Sequence, residues 1–233
     1  VFVNRARSAA DVVAVMRDYR LMDQNVVYAD KNGNIGYIAA GTIPLRSKGD
    51  GTLPVPGWTG EYEWQGYMPF DQLPQIVNPA TGYIVTANNR VTNDDRAALI
   101  STNYAAPYRA ARIIEMIEAK PRLNADDMAT MQADVLALHA RTLLPILLQT
   151  SPADERGRQA LDLLRGWDAR ATGDSTATAI FEAWYIRIAQ RLFADELGDD
   201  VWQTYSRNSY MVAMALEAAL YENSPFCDDV RTP

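Results

Sequence analysis

Between Gly41 and Asn78 this chain cannot form a continuous helix. Within LPVPGWTGEYEWQGYMP, Pro54, Pro56 and Pro69 remove backbone donors, while Gly57, Gly60 and Gly66 loosen what remains. A loop of this length in a compact domain is usually functional or packed by its own aromatics. Trp58 and Trp64 suit either role, as a pocket wall or as pins holding an Ω-like loop to the surface. Everything on either side must be arranged around that stretch.

On its N-terminal side, Ser8–Arg20 opens with a serine cap and an acidic first turn, then repeats apolar residues at helical spacing. Asn25–Ala29 and Ile35–Ala39 are β-rich runs flanking Asp30–Asn34, and Asn32-Gly33 between them predicts a hairpin. On the C-terminal side, Asn78-Pro79 and Gly82 read as a tight turn, and Tyr83–Thr86 as a short strand. Asn88 and Asn89 stand at the end of that predicted strand, where side chains face clefts more often than cores. A polar loop follows, then a basic helix with Arg109 in its first turns.

From there the pattern is helical. The periodicity predicts helices over Tyr108–Ala119, from a cap at Asn124 through Met128, Met131, Val135, Leu138 and Thr142 to Pro145, and over Asp154–Trp167. Further helices are predicted over Thr176–Leu197, Asp200–Arg207 and Ser209–Tyr221, with an irregular SPFCDDVRTP tail. The expected organisation is α+β, with an α/β part over 1–108 and a mainly helical subdomain over 109–233. No repeat or flexible linker separates them.

Several function classes are excluded at this stage. A net charge of −7 disfavours nucleic acid as a partner, since phosphate binding needs a basic surface. No apolar run approaches the ~20 residues needed to span a bilayer. His139 is the sole histidine and lies in the apolar DVLALHARTLLP, so it reads as a packed helix residue rather than a general base. It cannot build a histidine zinc site with Cys227, the sole cysteine, far away. Asp94 and Asp95 read as solvated loop carboxylates, and no metal ligand set is assigned. Two carboxamides and a guanidinium near one sheet edge could receive an oxyanion, but that is a site without its nucleophile. From the residues alone a second account stays open, in which Asn88 satisfies a strand end and Arg109 pairs with Asp94, Asp95 or Glu115.

Several motifs in order, YADKNGNIGY, GTIPLR, LPVPGW, NPATGYIVTANN, APYRAARI, KPRLNADDM and the later GWD, resemble the β-chain of the penicillin acylase family over nearly the whole sequence. The resemblance implies part of the αββα sandwich of N-terminal-nucleophile hydrolases, followed by the helical subdomain. It implies an amidohydrolase cleaving an acyl group from an amine, of the N-acyl β-lactam or N-acyl homoserine lactone class. Asn88 matches the family's oxyanion donor, and Arg109 the arginine that orients it and the nucleophile's amine. Asn89 is the structural neighbour, and the Gln24 region approaches the acyl pocket. The family's nucleophile is an N-terminal serine, whereas Val1 has neither hydroxyl nor thiol. The resemblance therefore implies a piece of a longer enzyme, inactive alone, whose partners are the remainder of its precursor (the α-chain and the N-terminal part of the β-chain) and a small acylated amine. It further implies a periplasmic or secreted protein with no cofactor in this piece, and calcium in the intact enzyme. A non-catalytic scaffold derived from the same family is the alternative.

Overall fold

The computed structural model describes residues 3–207 and 209–221, and the chain divides into two compact units, Val1–Ala105 and Ala106–Pro233. The predicted tail and Cys227 lie outside the described residues.

In the first unit, helix α1 (Ala9–Arg17) starts where the Asp11 amide donates to Ser8 Oγ at 3.2 Å. It buries Met16 against Ile38 and Ala40. Those two residues lie on β2 (Ile35–Ala40), the middle strand of an antiparallel sheet ordered β1-β2-β5, with β1 at Gln24–Ala29 and β5 at Gln75–Val77. The order explains the sequence of β2. A strand flanked on both edges and covered on both faces reads as a continuous apolar run, here IGYIAA. The predicted hairpin forms in register, with Val27 opposite Tyr37 and Ala29 opposite Ile35. Its turn is tied by Asp30, whose Oδ1 accepts from the Asn32 and Asn34 amides at 2.8 and 3.0 Å. Hydrogen bonds from Asn34 lower the Asp30 pKa to about 2. Gly33 supplies the positive φ, 85°, that the turn requires.

Two expectations for this unit need correction. The stretch read only as a loop contains strands β3 (Pro44–Arg46) and β4 (Trp64–Tyr67), paired antiparallel. The prolines lie outside β4 or at the first residue of β3, where a missing donor costs no ladder bond. Conversely, Tyr83–Thr86 is extended and half-buried but is not a strand. A strand needs a ladder, and this segment pairs with none of β1, β2 or β5.

The second unit is helical: α3 (Tyr108–Glu118), α4 (Ala125–Gln132), α5 (Leu138–Leu147), α6 (Glu155–Arg165), α7 (Thr176–Leu197), α8 (Asp199–Tyr205) and α9 (Ser209–Tyr221). In the first unit, α2 (Arg96–Ile100) is a short turn of helix. The core of the helical unit gathers Leu143, Leu144 and Leu147 of α5, Leu164 of α6 and Phe181 of α7. A second cluster holds Phe193, Trp202 and Leu216. Asn124 caps α4 in a reciprocal box with Asp127.

The single helix expected from Asn124 to Pro145 is two helices. The intervening segment is drawn out of helical geometry by backbone bonds to a distant loop. Ala137 N donates to Ala169 O and Ala171 N to Val135 O, both at 2.8 Å, around an isolated bridge between Leu136 and Arg170. Pro145 lies inside α5 rather than at its end. It removes one donor near the last turn, a loss that the helix's buried leucine face outweighs.

Candidate functional site

Asn88 belongs to the first unit and Arg109 to the second, and each is understood from its own surroundings. Asn88 is exposed and adopts a left-handed backbone, φ 61°. Asparagine tolerates this better than most residues, but it persists only where neighbours over-determine the turn. Asn89 provides part of that determination. Its Oδ1 accepts from the buried Ala87 amide at 3.0 Å, and its Nδ2 donates to Arg90 O at 3.0 Å. On the other side, Ala105 N donates to Asn88 O at 2.8 Å. The two adjacent asparagines thus play different parts. Asn89 spends its carboxamide on the main chain on either side of itself.

The loop beyond is laced in the same way. Arg90 Nε donates to Thr92 O at 2.9 Å, and the Tyr104 hydroxyl to Ala97 O at 2.8 Å. Asn88 lines a polar cavity of about 210 Å³ together with Gln24, Asn25, Asn89, Asn103 and Tyr104. Deeper in the sheet, the Tyr37 hydroxyl donates to Asn25 Oδ1 at 2.6 Å, and burial pushes its pKa up to about 12. The phenol is therefore a fixed donor at neutral pH, and its bond orients the Asn25 amide. The rim carries the amides of Gln24, Asn25, Asn88, Asn89 and Asn103 together with the Asp23 carboxylate, and a neutral amide donor can stabilise a developing negative charge without an added proton equilibrium. Gln24 and Asn25 reach it from the first residues of β1.

Two of the carboxylates weighed as partners for Arg109 have guanidinium partners of their own. Asp94 receives Arg96 Nε on both oxygens at 3.1 and 3.0 Å, which lowers its pKa to about 2. Glu115 pairs with Arg112 and Arg141 at 3.1 Å each. Calcium takes six to eight oxygens, and the Asp94 carboxylate is already committed to a guanidinium. Among the described residues no three potential ligands gather for a metal.

Arg109 is exposed on the first turn of α3. It lines a largely apolar cavity of about 430 Å³ with Arg112, Ile113 and Met116 of the same face, and with Met131 and Asp134. His139 packs against the rings of Tyr108, Phe181 and Tyr185 at 5.5–6.0 Å, with Nε2 3.4 Å from Glu182 Oε1. That is the packed histidine expected from its apolar surroundings. Trp58 and Trp64 are 88% and 57% exposed, and the Trp64 ring meets that of Tyr67 edge-on at 6.1 Å. Neither pins its loop, and neither lines the Asn88 cavity. No helix of the described residues is long and apolar enough to cross a membrane.

Comparison with known proteins places these features in context. The family model described as penicillin amidase matches residues 1–233. The penicillin acylase 2 proenzyme of Pseudomonas sp. (strain SE83) is 38% identical over 77% of this chain and 23% of that protein. The acyl-homoserine lactone acylase QuiP of Pseudomonas aeruginosa is 31% identical over 99% of this chain and 29% of that protein. The chain thus spans less than a third of the length of these curated relatives. A thermostable penicillin G acylase from Alcaligenes faecalis superimposes with a TM-score of 0.75, covering 96% of this chain and 45% of that one at 24% identity. That likeness shows that the chain shares the fold of the corresponding part of that structure.

Proposed function

The chain belongs to the penicillin amidase family, and from that premise we propose that it is the oxyanion-donor portion of an amidohydrolase that cleaves an acyl group from an amine. The observation that carries the reading is Asn88, held at φ 61° on a polar cavity by a neighbour whose own carboxamide is committed to the main chain. In the proposed reaction an N-terminal serine, supplied by polypeptide outside this sequence, attacks the amide carbonyl, its free amine taking the proton. Asn88 Nδ2 donates to the oxyanion. The C–N bond then breaks, the leaving amine takes the proton, and water releases the acyl group as a carboxylic acid. A neutral amide suits this role, and losing such a donor costs about 3 kcal/mol. Arg109 orients the asparagine and the nucleophile's amine, because its guanidinium stays charged and rigid.

The substrate class is an N-acyl β-lactam or an N-acyl homoserine lactone, the two chemistries in the names of the relatives. The partners are the remaining parts of the precursor, in a periplasmic or secreted setting. Calcium, if the intact enzyme holds it, draws most of its ligands from those other parts.

The test is amide hydrolysis by the full-length precursor, with mass spectrometry of its processing. Self-cleavage to a new N-terminal serine, with acyl release from a chromogenic amide, is expected. If Asn88→Ala and Arg109→Ala both keep turnover within about threefold of wild type, far less than an oxyanion donor should cost, the assigned roles are wrong. An uncleaved, inactive precursor would instead indicate the non-catalytic scaffold.

A further inference from the structure

The start of α3, where Arg109 sits, has no side-chain cap, and Tyr108 of its first turn packs against the His139 ring at 6.0 Å. Arg109, Arg112, Ile113 and Met116 recur at the spacing of one helix face, and all four line the same cavity. One turn in from Arg109, the Arg112 guanidinium is occupied on every nitrogen. Nε donates to Asp134 Oδ2 at 2.7 Å, Nη2 to Asp134 Oδ1 at 3.0 Å, and Nη1 lies 3.1 Å from Glu115 Oε2.

Asp134 is the buried member of this set, its side chain 8% exposed, with Arg170 Nη1 3.8 Å from Oδ1. Its hydrogen bonds from Arg112 hold its pKa below the ordinary carboxylate range. It also sits in the segment between α4 and α5 that the Ala137–Ala169 and Ala171–Val135 bonds fix in place. A buried carboxylate on an immobilised segment, gripping a fork-shaped cation in two bonds, fixes rotation as well as distance. The Glu115–Arg141 pair on the same helix is, by contrast, half-exposed.

We propose that Asp134 is a positioning residue which, through its two bonds to Arg112, sets the rotation of α3 and so the direction in which Arg109 points. The inference rests on the role assigned to Arg109 above. A group that acts by orienting a catalytic arginine affects turnover more than binding, because a misplacement of about 1 Å can cost on the order of a hundredfold.

The experiment measures kcat and KM on a chromogenic amide in the full-length precursor, at a temperature where every variant is folded. Asp134→Asn, which keeps the shape but loses the charge-assisted pair, is expected to lower kcat about tenfold with KM within about twofold, the scale of outer-shell orienting groups. Asp134→Glu restores most of the loss. Added to Arg109→Lys, Asp134→Asn costs nothing further, since both act through one group. If the two losses multiply, or if Asp134→Asn retains wild-type kcat, the inference is overturned. Should Asp134→Asn fail to fold, Arg112→Lys, which keeps the charge and loses the fork, enters the same comparison.

Hydrogen exchange on the full-length precursor separates failure here from failure of the acylase reading. If no amide is hydrolysed by the precursor, the acylase reading falls. The latch is then decided by the α3 amides alone. Faster exchange there in Asp134→Asn, with α7 unchanged, supports it, and unchanged α3 exchange overturns it.

Discussion

Truncating Asn89 to alanine tests whether the left-handed turn at Asn88 is held from next door. The substitution removes an acceptor from the Ala87 amide, in a residue only 8% exposed, and a donor from Arg90 O. Two such local bonds are worth about 1 kcal/mol each in net terms. A left-handed backbone at a non-glycine residue costs about 1–2 kcal/mol. The bonds and the strain are therefore of similar size, and removing the bonds shifts the balance between the native turn and a relaxed one by about 2 kcal/mol, or roughly thirtyfold. Turnover per enzyme should fall by up to that factor, whereas Asn88→Ala, which removes the oxyanion donor itself, should cost about 150-fold. Asn89→Asp keeps the acceptor and loses the donor, so it should fall between Asn89→Ala and wild type. The assay is kcat/KM on a chromogenic amide in the full-length precursor, alongside urea unfolding to exclude global loss of structure. If Asn89→Ala stays within about threefold of wild type while Asn88→Ala collapses, the turn is held by something other than Asn89. If Asn89→Ala is the worse of the two, the roles of the pair are exchanged.

Other outcomes follow from the helical unit. Phe181 is fully buried among His139, Trp167 and Tyr185, so Phe181→Ala should cost about 4 kcal/mol by urea titration, and Phe181→Leu about 1–2 kcal/mol because chiefly the ring pairs are lost. A loss below about 1 kcal/mol for the alanine would contradict that packing. Burial raises the Glu217 pKa above its ordinary 4.5, against the opposing influence of Tyr108 and His139, and its Oε1 accepts no hydrogen bond. The carboxyl's contribution to stability is therefore most favourable below its unfolded value and diminishes as pH rises through the folded one. Glu217→Gln should raise the melting temperature at neutral pH, with the difference vanishing near pH 4, about the unfolded value. A difference that grows on acidification would reverse the sign. Asn124→Ala breaks the capping box of α4 and should lower stability by about 1 kcal/mol with an unchanged urea m-value.

Where local chemistry decides an element, the sequence declares it. The α7 boundaries, Thr176 to Leu197, follow from a serine cap and an apolar stripe, and the Asp30–Asn34 hairpin from its turn residues. Where the deciding partner is remote, the sequence is silent. Tyr83–Thr86 has the composition of a strand, but nothing local records that it pairs with none of β1, β2 or β5. The periodicity from Met128 to Thr142 passes unbroken through a segment that Ala169 and Ala171 pull straight. The same limit governs the site. The paired asparagines were visible as a motif, but what separates them is a positive φ on one and two main-chain bonds on the other. Asp134 carried no signal at all, because its partner Arg112 lies on α3, 22 residues earlier in the chain.

The bridge between Leu136 and Arg170 gives the helical unit an unusual connectivity. It closes a ring of polypeptide that contains α5 and α6 whole, so the order in which those helices are threaded is partly redundant with the bonds that hold the ring shut. A break in the chain between α5 and α6, around Gln149–Ala153, would leave both new ends tethered through the bridge and the shared leucine core. That turn is accordingly the place where a nicked or circularly rearranged form of this unit should keep its architecture.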